Sequence, residues 1–156
     1  MRQRRRWITA LILSVLSLAL TSERVALAEA TLNWQALEDE AVSLLSRYIQ
    51  IDTTNPPGDE LKAARFFKEI LDREGIEAKI IESVPGRGNI YARLRGNGTK
   101  KALVLLNHMD VVPADAKFWK EPPFSGVIKD GFIWGRGALD MKGPAIAELI
   151  SLLALK

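Results

Sequence analysis

The stretch "ALVLLN" at 102–107 is the feature that most limits what this chain can become. Side chains alternate between the two faces of a strand, so a half-buried strand shows polar residues at every second position. Here no position before Asn107 is polar. A strand-length run of that kind needs cover on both faces, which is the environment of a central strand in a parallel sheet. The chain must therefore also supply helices to cover it.

The flanking sequence supplies them. From Trp34 to Gln50, Leu37, Ala41, Leu44, Leu45 and Tyr48 recur at three- and four-residue steps, one face of a helix. "DTTNPPGDE" stops it, because the residue before a proline disfavours helical geometry. A second helix is predicted from about Glu60 to Glu74, with Leu61, Ala64, Phe67, Ile70 and Leu71 as its stripe and Gly75 as its cap. The period then changes. "IEAKIIESV" and "NIYARLRG" read as strands joined through "PGRG", and "GNGT" at 96–99 as a tight turn. "GVIKDGFIWGRG" reads as a hairpin about Asp130-Gly131. "GPAIAELISLLALK" opens with Pro144, tolerated in a first helical turn, and is apolar on nearly every side, as a buried helix is. The expected fold class is α/β, with a largely parallel central sheet flanked by helices and an antiparallel hairpin. The chain stops inside that last helical pattern with no stop signal, so it reads as the N-terminal part of a longer protein.

Residues 1–28 are set apart from this fold. "MRQRRRW" is basic, "ITALILSVLSLAL" is an apolar run of 13 residues, and "ALA" at 26–28 offers a cleavage site. That order is a signal peptide. The apolar run is short for a bilayer span, which takes about 20 residues. An uncleaved membrane anchor is the competing reading, because "TSERV" lengthens the stretch before the small residues. The expectation is export to the periplasm or the extracellular space, with no stable membrane association after cleavage. Domain organisation is then a signal peptide at 1–28 and one domain of ordinary size at 29–156.

The leader also accounts for the charge. It holds five of the 22 basic residues and one of the 19 acidic ones, leaving 17 and 18 in the remainder. The formal net charge of +3 belongs to the leader and carries no argument for nucleic-acid binding. The absence of cysteine excludes thiolate metal sites and a cysteine nucleophile.

Two short motifs carry chemistry. "NHMDVV" at 107–112 places the only histidine, His108, two residues before Asp110, just past the end of the apolar run. In open α/β sheets ligands bind at that edge. An extended backbone puts residues i and i+2 on one face, so the imidazole can be a metal ligand and the carboxylate its orienting partner. A structural surface pair is the alternative. "GRGALDMKG" at 135–143 places Asp140 among glycines ahead of a helix. A carboxylate there can bridge two cations or simply cap the helix, and residue chemistry alone leaves both open. Trp119 and Phe124 either line a site entrance or pin their loop to the core. Lys142 either stabilises an anion or faces solvent. Phosphate-loop, dinucleotide-binding and H-E-x-x-H patterns are absent.

Taken in order, "IDTTNPPGDE", "HMDVVP", "PPFSG" and "DGFIWGRGALDMKG" resemble one family. It is the co-catalytic zinc metallopeptidase family of carboxypeptidase S, aminoacylase, acetylornithine deacetylase and succinyl-diaminopimelate desuccinylase. The resemblance covers roughly Leu44 to the end. It implies that residues 29–156 are an incomplete N-terminal portion of a zinc-peptidase catalytic domain. It implies a metal role for His108 and Asp140, with Asp140 bridging two zinc ions, a catalytic supporting role for Asp110, and a cis peptide after Asp140. It places a glutamate pair, a further acidic ligand, a C-terminal histidine and an inserted lid domain beyond Lys156. The implied function is zinc-dependent hydrolysis of a peptide or N-acyl amino acid by the longer protein, a possible homodimer through the missing domain, with this piece inactive alone. The alternative is a non-catalytic binding or interaction module that retains the fold.

Overall fold

The computed structural model describes residues Leu32–Lys156. The leader and its Ala28 boundary lie outside the described residues. The chain divides into a unit ending at Ala36 and a compact unit from Leu37 to Lys156. In the first, the Asn33 side chain accepts from the Ala36 N–H at 3.1 Å, an N-terminal cap.

The described residues hold three α-helices. Helix α1 spans Trp34–Ile49 and buries Leu44, Tyr48 and Ile49. Helix α2 spans Glu60–Arg73 and buries Ala63, Ala64, Phe66, Phe67, Ile70 and Leu71. Its sequence contains no glycine or proline, and its apolar residues fall at helical spacing. It ends where the Ile76 N–H returns to the Leu71 carbonyl at 2.8 Å, a closure that seats Ile76 in the core. Helix α3 spans Gly143–Ala154 and buries Ala145, Ile146 and Leu149. Ile150, Leu152 and Leu153 are only partly buried against the same core, so α3 is covered on one face rather than all round. At the centre, the Tyr48 ring stacks on Phe66 at 5.5 Å and meets Phe67 edge-on at 4.9 Å.

Strands β1 (Ala78–Val84) and β2 (Arg87–Ala92) form an antiparallel hairpin in the register Ile80↔Ile90. It lies on α2, with Ile80, Ile90 and Ala92 turned toward the core. Strands β3 (Ile128–Lys129) and β4 (Phe132–Ile133) form a second hairpin. Its turn residues Asp130 and Gly131 both have positive φ, 54° and 80°, which matches the right-handed twist of the strands.

The expected largely parallel central sheet is not present among the described residues. They form two antiparallel two-stranded sheets and a single parallel bridge, Thr54↔Val111. The run at 102–107 is not a strand here. Leu103, Val104 and Leu106 are 82%, 75% and 81% exposed. The physical reason is the lack of a neighbour, since a strand needs another backbone to take its N–H and C=O groups. Each such side chain forgoes about 1.5–3 kcal/mol of burial. Only the far end of the run is held. Asn107 donates to Glu148 of α3 at 2.7 Å, and Thr53 Oγ1 donates to the Met109 carbonyl at 2.6 Å. These contacts fix the segment that carries His108.

Candidate metal centre

His108 and Asp140 meet although 32 residues separate them. His108 Nε2 lies 3.0 Å from Asp140 Oδ1. On the other side of the ring, Nδ1 lies 3.0 Å from the Asp110 carbonyl oxygen and 3.2 Å from Asp110 Oδ1. A carbonyl only accepts, so a proton on Nδ1 satisfies the Asp110 side, while Nε2 turns toward Asp140. Partial desolvation lowers the His108 pKa. The Asp140 hydrogen bond and the Asp110 contacts outweigh it and hold the ring above its ordinary value.

Asp110 is fixed from a second side. Asn55 Nδ2 donates to Asp110 Oδ2 at 3.0 Å. That hydrogen bond is the largest influence on the Asp110 carboxyl. With the nearby His108 charge it lowers the pKa against a smaller opposing effect of burial.

Asp140 is not a helix cap. Helix α3 begins three residues later, and Asp140 sits in an irregular turn (Ala138–Lys142) with extended φ and ψ of −125° and 96°. Its peptide bond to Met141 is cis. The carboxylate is 88% exposed. The chain enters this turn through Gly137, whose φ is +83°. A Cβ there would come within 2.7 Å of Val111 Cγ1, so a larger residue would push the Asp140 turn away from the His108 segment.

Lys142 does neither of the things its sequence position left open. It is 1% exposed, and its Nζ donates to the carbonyls of Tyr48 at 3.0 Å and Ile51 at 2.6 Å. Burial pushes its pKa down to about 8, opposed by Asp52. The side chain therefore ties the carbonyl end of α1 to the start of α3.

Beside the His108–Asp140 pair opens a cavity of about 610 Å³, lined by Val111, Trp119, Phe132, Trp134, Arg136 and Leu139 among others. Trp119 thus lines this cavity, whereas Phe124 does not. Arg136 lies 5.0 Å above the Trp119 ring and donates to the Pro113 carbonyl at 3.3 Å. Its Nε is buried without a partner.

Nitrogen and oxygen donors of this type suit zinc. In the neutral ring with its proton on Nδ1, Nε2 and Asp140 Oδ1 are both acceptors. Their 3.0 Å separation needs a proton or a cation between them. His108 and Asp140 therefore fit as a pair of ligands, with Asp110 behind the ring. Among the described residues, no three His, Asp or Glu side chains converge on one ion. Sequence reasoning missed Asn55, because an asparagine ahead of two prolines reads as a helix stop. It also missed the structural use of Lys142.

Residues 104–156 match the profile of Peptidase family M20/M25/M40. A probable succinyl-diaminopimelate desuccinylase of Staphylococcus epidermidis is 36% identical over 120 residues, covering 76% of this chain and 29% of the relative. Aminoacylase-1 of Sus scrofa is 36% identical over 121 residues, covering 76% and 30%. Among solved structures, the M20 family metallo-carboxypeptidase Sso-CP2 from Sulfolobus solfataricus superposes with a TM-score of 0.67 at 31% identity, covering 74% of this chain and 27% of its own. Human carnosine dipeptidase 1 gives a TM-score of 0.60 at 28% identity, covering 77% and 29%. The chain spans less than a third of the length of these relatives. His108, Asp110 and Asp140 lie inside the matched segment, and over about three quarters of its own length the chain is similar to members of peptidase family M20/M25/M40.

Proposed function

We propose that, in a protein of its relatives' length, this chain supplies part of the active site of a zinc-dependent amide hydrolase. That enzyme is an exopeptidase or an N-acyl-amino-acid amidohydrolase, and its centre holds two zinc ions. The observation that carries this reading is the meeting of His108 Nε2 and Asp140 Oδ1 at 3.0 Å, with Asp110 on the opposite nitrogen.

Each residue has a role of its own. Asp110 keeps the proton on Nδ1, so that the Nε2 lone pair is available as a ligand. Asp140 would hold zinc together with His108, and its exposed carboxylate would be open to more than one ion. Zinc held there supplies Lewis acidity toward water and a carbonyl oxygen. Arg136 brings positive charge to the cavity wall, where a substrate carboxylate gains charge-assisted hydrogen bonds. Trp119, Phe132 and Leu139 offer apolar contact to the acyl or side-chain part of the substrate. The same reading makes 102–107 the central strand of a parallel sheet once further strands lie beside it. The leader-like order of residues 1–28 supports export.

The test uses a protein that extends this sequence to the length of its relatives. Zinc-dependent release of amino acid from N-acyl amino acids or dipeptides, lost on His108→Ala and on Asp140→Ala, is the expected result. Retention of the fold and of ligand binding, with no turnover in the parent protein, would instead establish a non-catalytic binding module.

A further inference from the structure

Asn55 lies 53 residues before His108 in sequence and has no metal-ligand chemistry of its own, yet it touches the acid that holds the imidazole. Its carboxamide has one chemically permitted orientation. Asp110 Oδ2, 3.0 Å from Asn55 Nδ2, only accepts. Arg87 Nη1, 3.4 Å from Asn55 Oδ1, only donates. Donation therefore runs from Arg87 to Asn55 to Asp110, and Asp110 also receives the His108 ring. Flipping the carboxamide would set donor against donor and acceptor against acceptor.

Arg87 is itself held. Nη1 also reaches the Pro57 carbonyl at 3.2 Å, and Nε lies 2.6 Å from Glu60 Oε2. Glu60 is 7% exposed. Neither of its oxygens receives an aligned donor, so its tie to Arg87 is electrostatic. The loop is shaped around this contact. Gly58 has φ +84°, and a Cβ there would stand 2.7 Å from Arg87 Nε and 2.9 Å from Glu60 Oε1. On the other flank, the Asn55 N–H donates to the Val111 carbonyl at 2.9 Å, which anchors Asn55 to the His108 segment.

We propose that Asn55 is a positioning residue for the metal centre. It holds Asp110 so that the acid faces His108 Nδ1, and Arg87, braced by Glu60, sets the orientation of Asn55. This rests on the reading of His108 as a ligand, but its first readout needs no metal. Removing the Asn55 amide frees the Asp110 carboxylate to rotate away from the ring, and the ring then loses its preference for a proton on Nδ1.

His108 is the only histidine in the sequence, so its ring nitrogens give an unambiguous pair of ¹⁵N resonances in the full chain. The experiment records them without metal, at a pH where the ring is neutral, and again during titration with zinc alone. In the unaltered chain the proton is expected on Nδ1. Asn55→Leu should shift the tautomers toward a mixture and weaken zinc binding by about 10–100-fold, the usual effect of losing such a partner. Arg87→Met should do the same to a smaller degree. Asn55→Asp, nearly the same shape with an acceptor against Asp110, should disturb the ring as Asn55→Leu does, and serves if the leucine variant fails to fold. A merely structural role would lower the melting temperature without moving the tautomer ratio. Unchanged ring resonances in folded Asn55→Leu or Asn55→Asp overturn the proposal. If the unaltered chain binds no zinc while the tautomer shift occurs, the positioning role stands and the metal reading falls.

Discussion

His108 Nε2 and Asp140 Oδ1 stand 3.0 Å apart, two acceptors facing each other whenever the neutral ring carries its proton on Nδ1. Such a pair is unfavourable without a positive charge between its members. A proton on Nε2 fills that place when the ring is charged, and, against the partial desolvation of the ring, the Asp140 and Asp110 contacts favour that form. Zinc bound there would compete for the same position and release that proton.

Lys142 tests the frame behind the pair. Its ammonium serves the Tyr48 and Ile51 carbonyls from a fully buried position. Lys142→Met keeps the length and removes the donors, leaving buried acceptors that cost about 1–3 kcal/mol. Relief of burying the charge offsets part of that. Urea unfolding should show a lower midpoint with an unchanged slope. A higher midpoint would show that burial of the charge outweighs the two hydrogen bonds.

Leu106 should behave differently in two contexts. It is 81% exposed here, so Leu106→Lys in this chain should change stability by less than about 0.5 kcal/mol. Sedimentation should show less self-association, because the apolar run with its unpaired backbone invites pairing with another chain. In a protein of the relatives' length, the same substitution should destabilise by several kcal/mol, as burying an unpaired charge does. Equal, small effects in both proteins would remove the parallel-sheet proposal.

Much of this was legible locally. The helical stripes of α1 and α2, the β3–β4 turn at Asp130-Gly131 and the start of α3 near Pro144 follow from spacing and turn chemistry. His108, Asp110 and Asp140 were legible as candidates because few residue types bind metals. Lys142 was not, because lysine is almost never fully buried unless paired, and its partners are backbone carbonyls that no side-chain pattern reveals. Asn55 was hidden by the prolines after it. The strand expected at 102–107 does not form among the described residues for a related reason. An apolar run declares what it must bury, but its neighbours are distant in sequence.

Arg136 tests the substrate class in an enzyme of the relatives' length. Arg136→Met should raise KM for N-acyl amino acids more than it lowers kcat, because the lost contact is to a part of the substrate that does not react. Amidated substrates, which lack the carboxylate, should show a much smaller change. Equal losses for both would place Arg136 in packing against Trp119 rather than in recognition.

The 156-residue chain should turn over no N-acyl amino acid, even with zinc. Among its described residues the pair gains no third converging His, Asp or Glu side chain, while a catalytic zinc commonly has three protein ligands. Release of free amino acid above the zinc-only control is the measurement. Turnover by this chain would mean that groups other than His108, Asp110 and Asp140 complete the site.

Titration of the chain with zinc, followed by the ¹⁵N resonances of its single histidine, tests the claim that His108 and Asp140 share an ion. The predicted result is a selective shift at Nε2, with Nδ1 keeping its proton. In Asp140→Ala the response should be lost or weakened at least tenfold, with the melting temperature nearly unchanged, since the Asp140 carboxylate is 88% exposed and exposed substitutions usually move stability by less than about 0.5 kcal/mol. A zinc shift at Nδ1, or an equal response in Asp140→Ala, would contradict it.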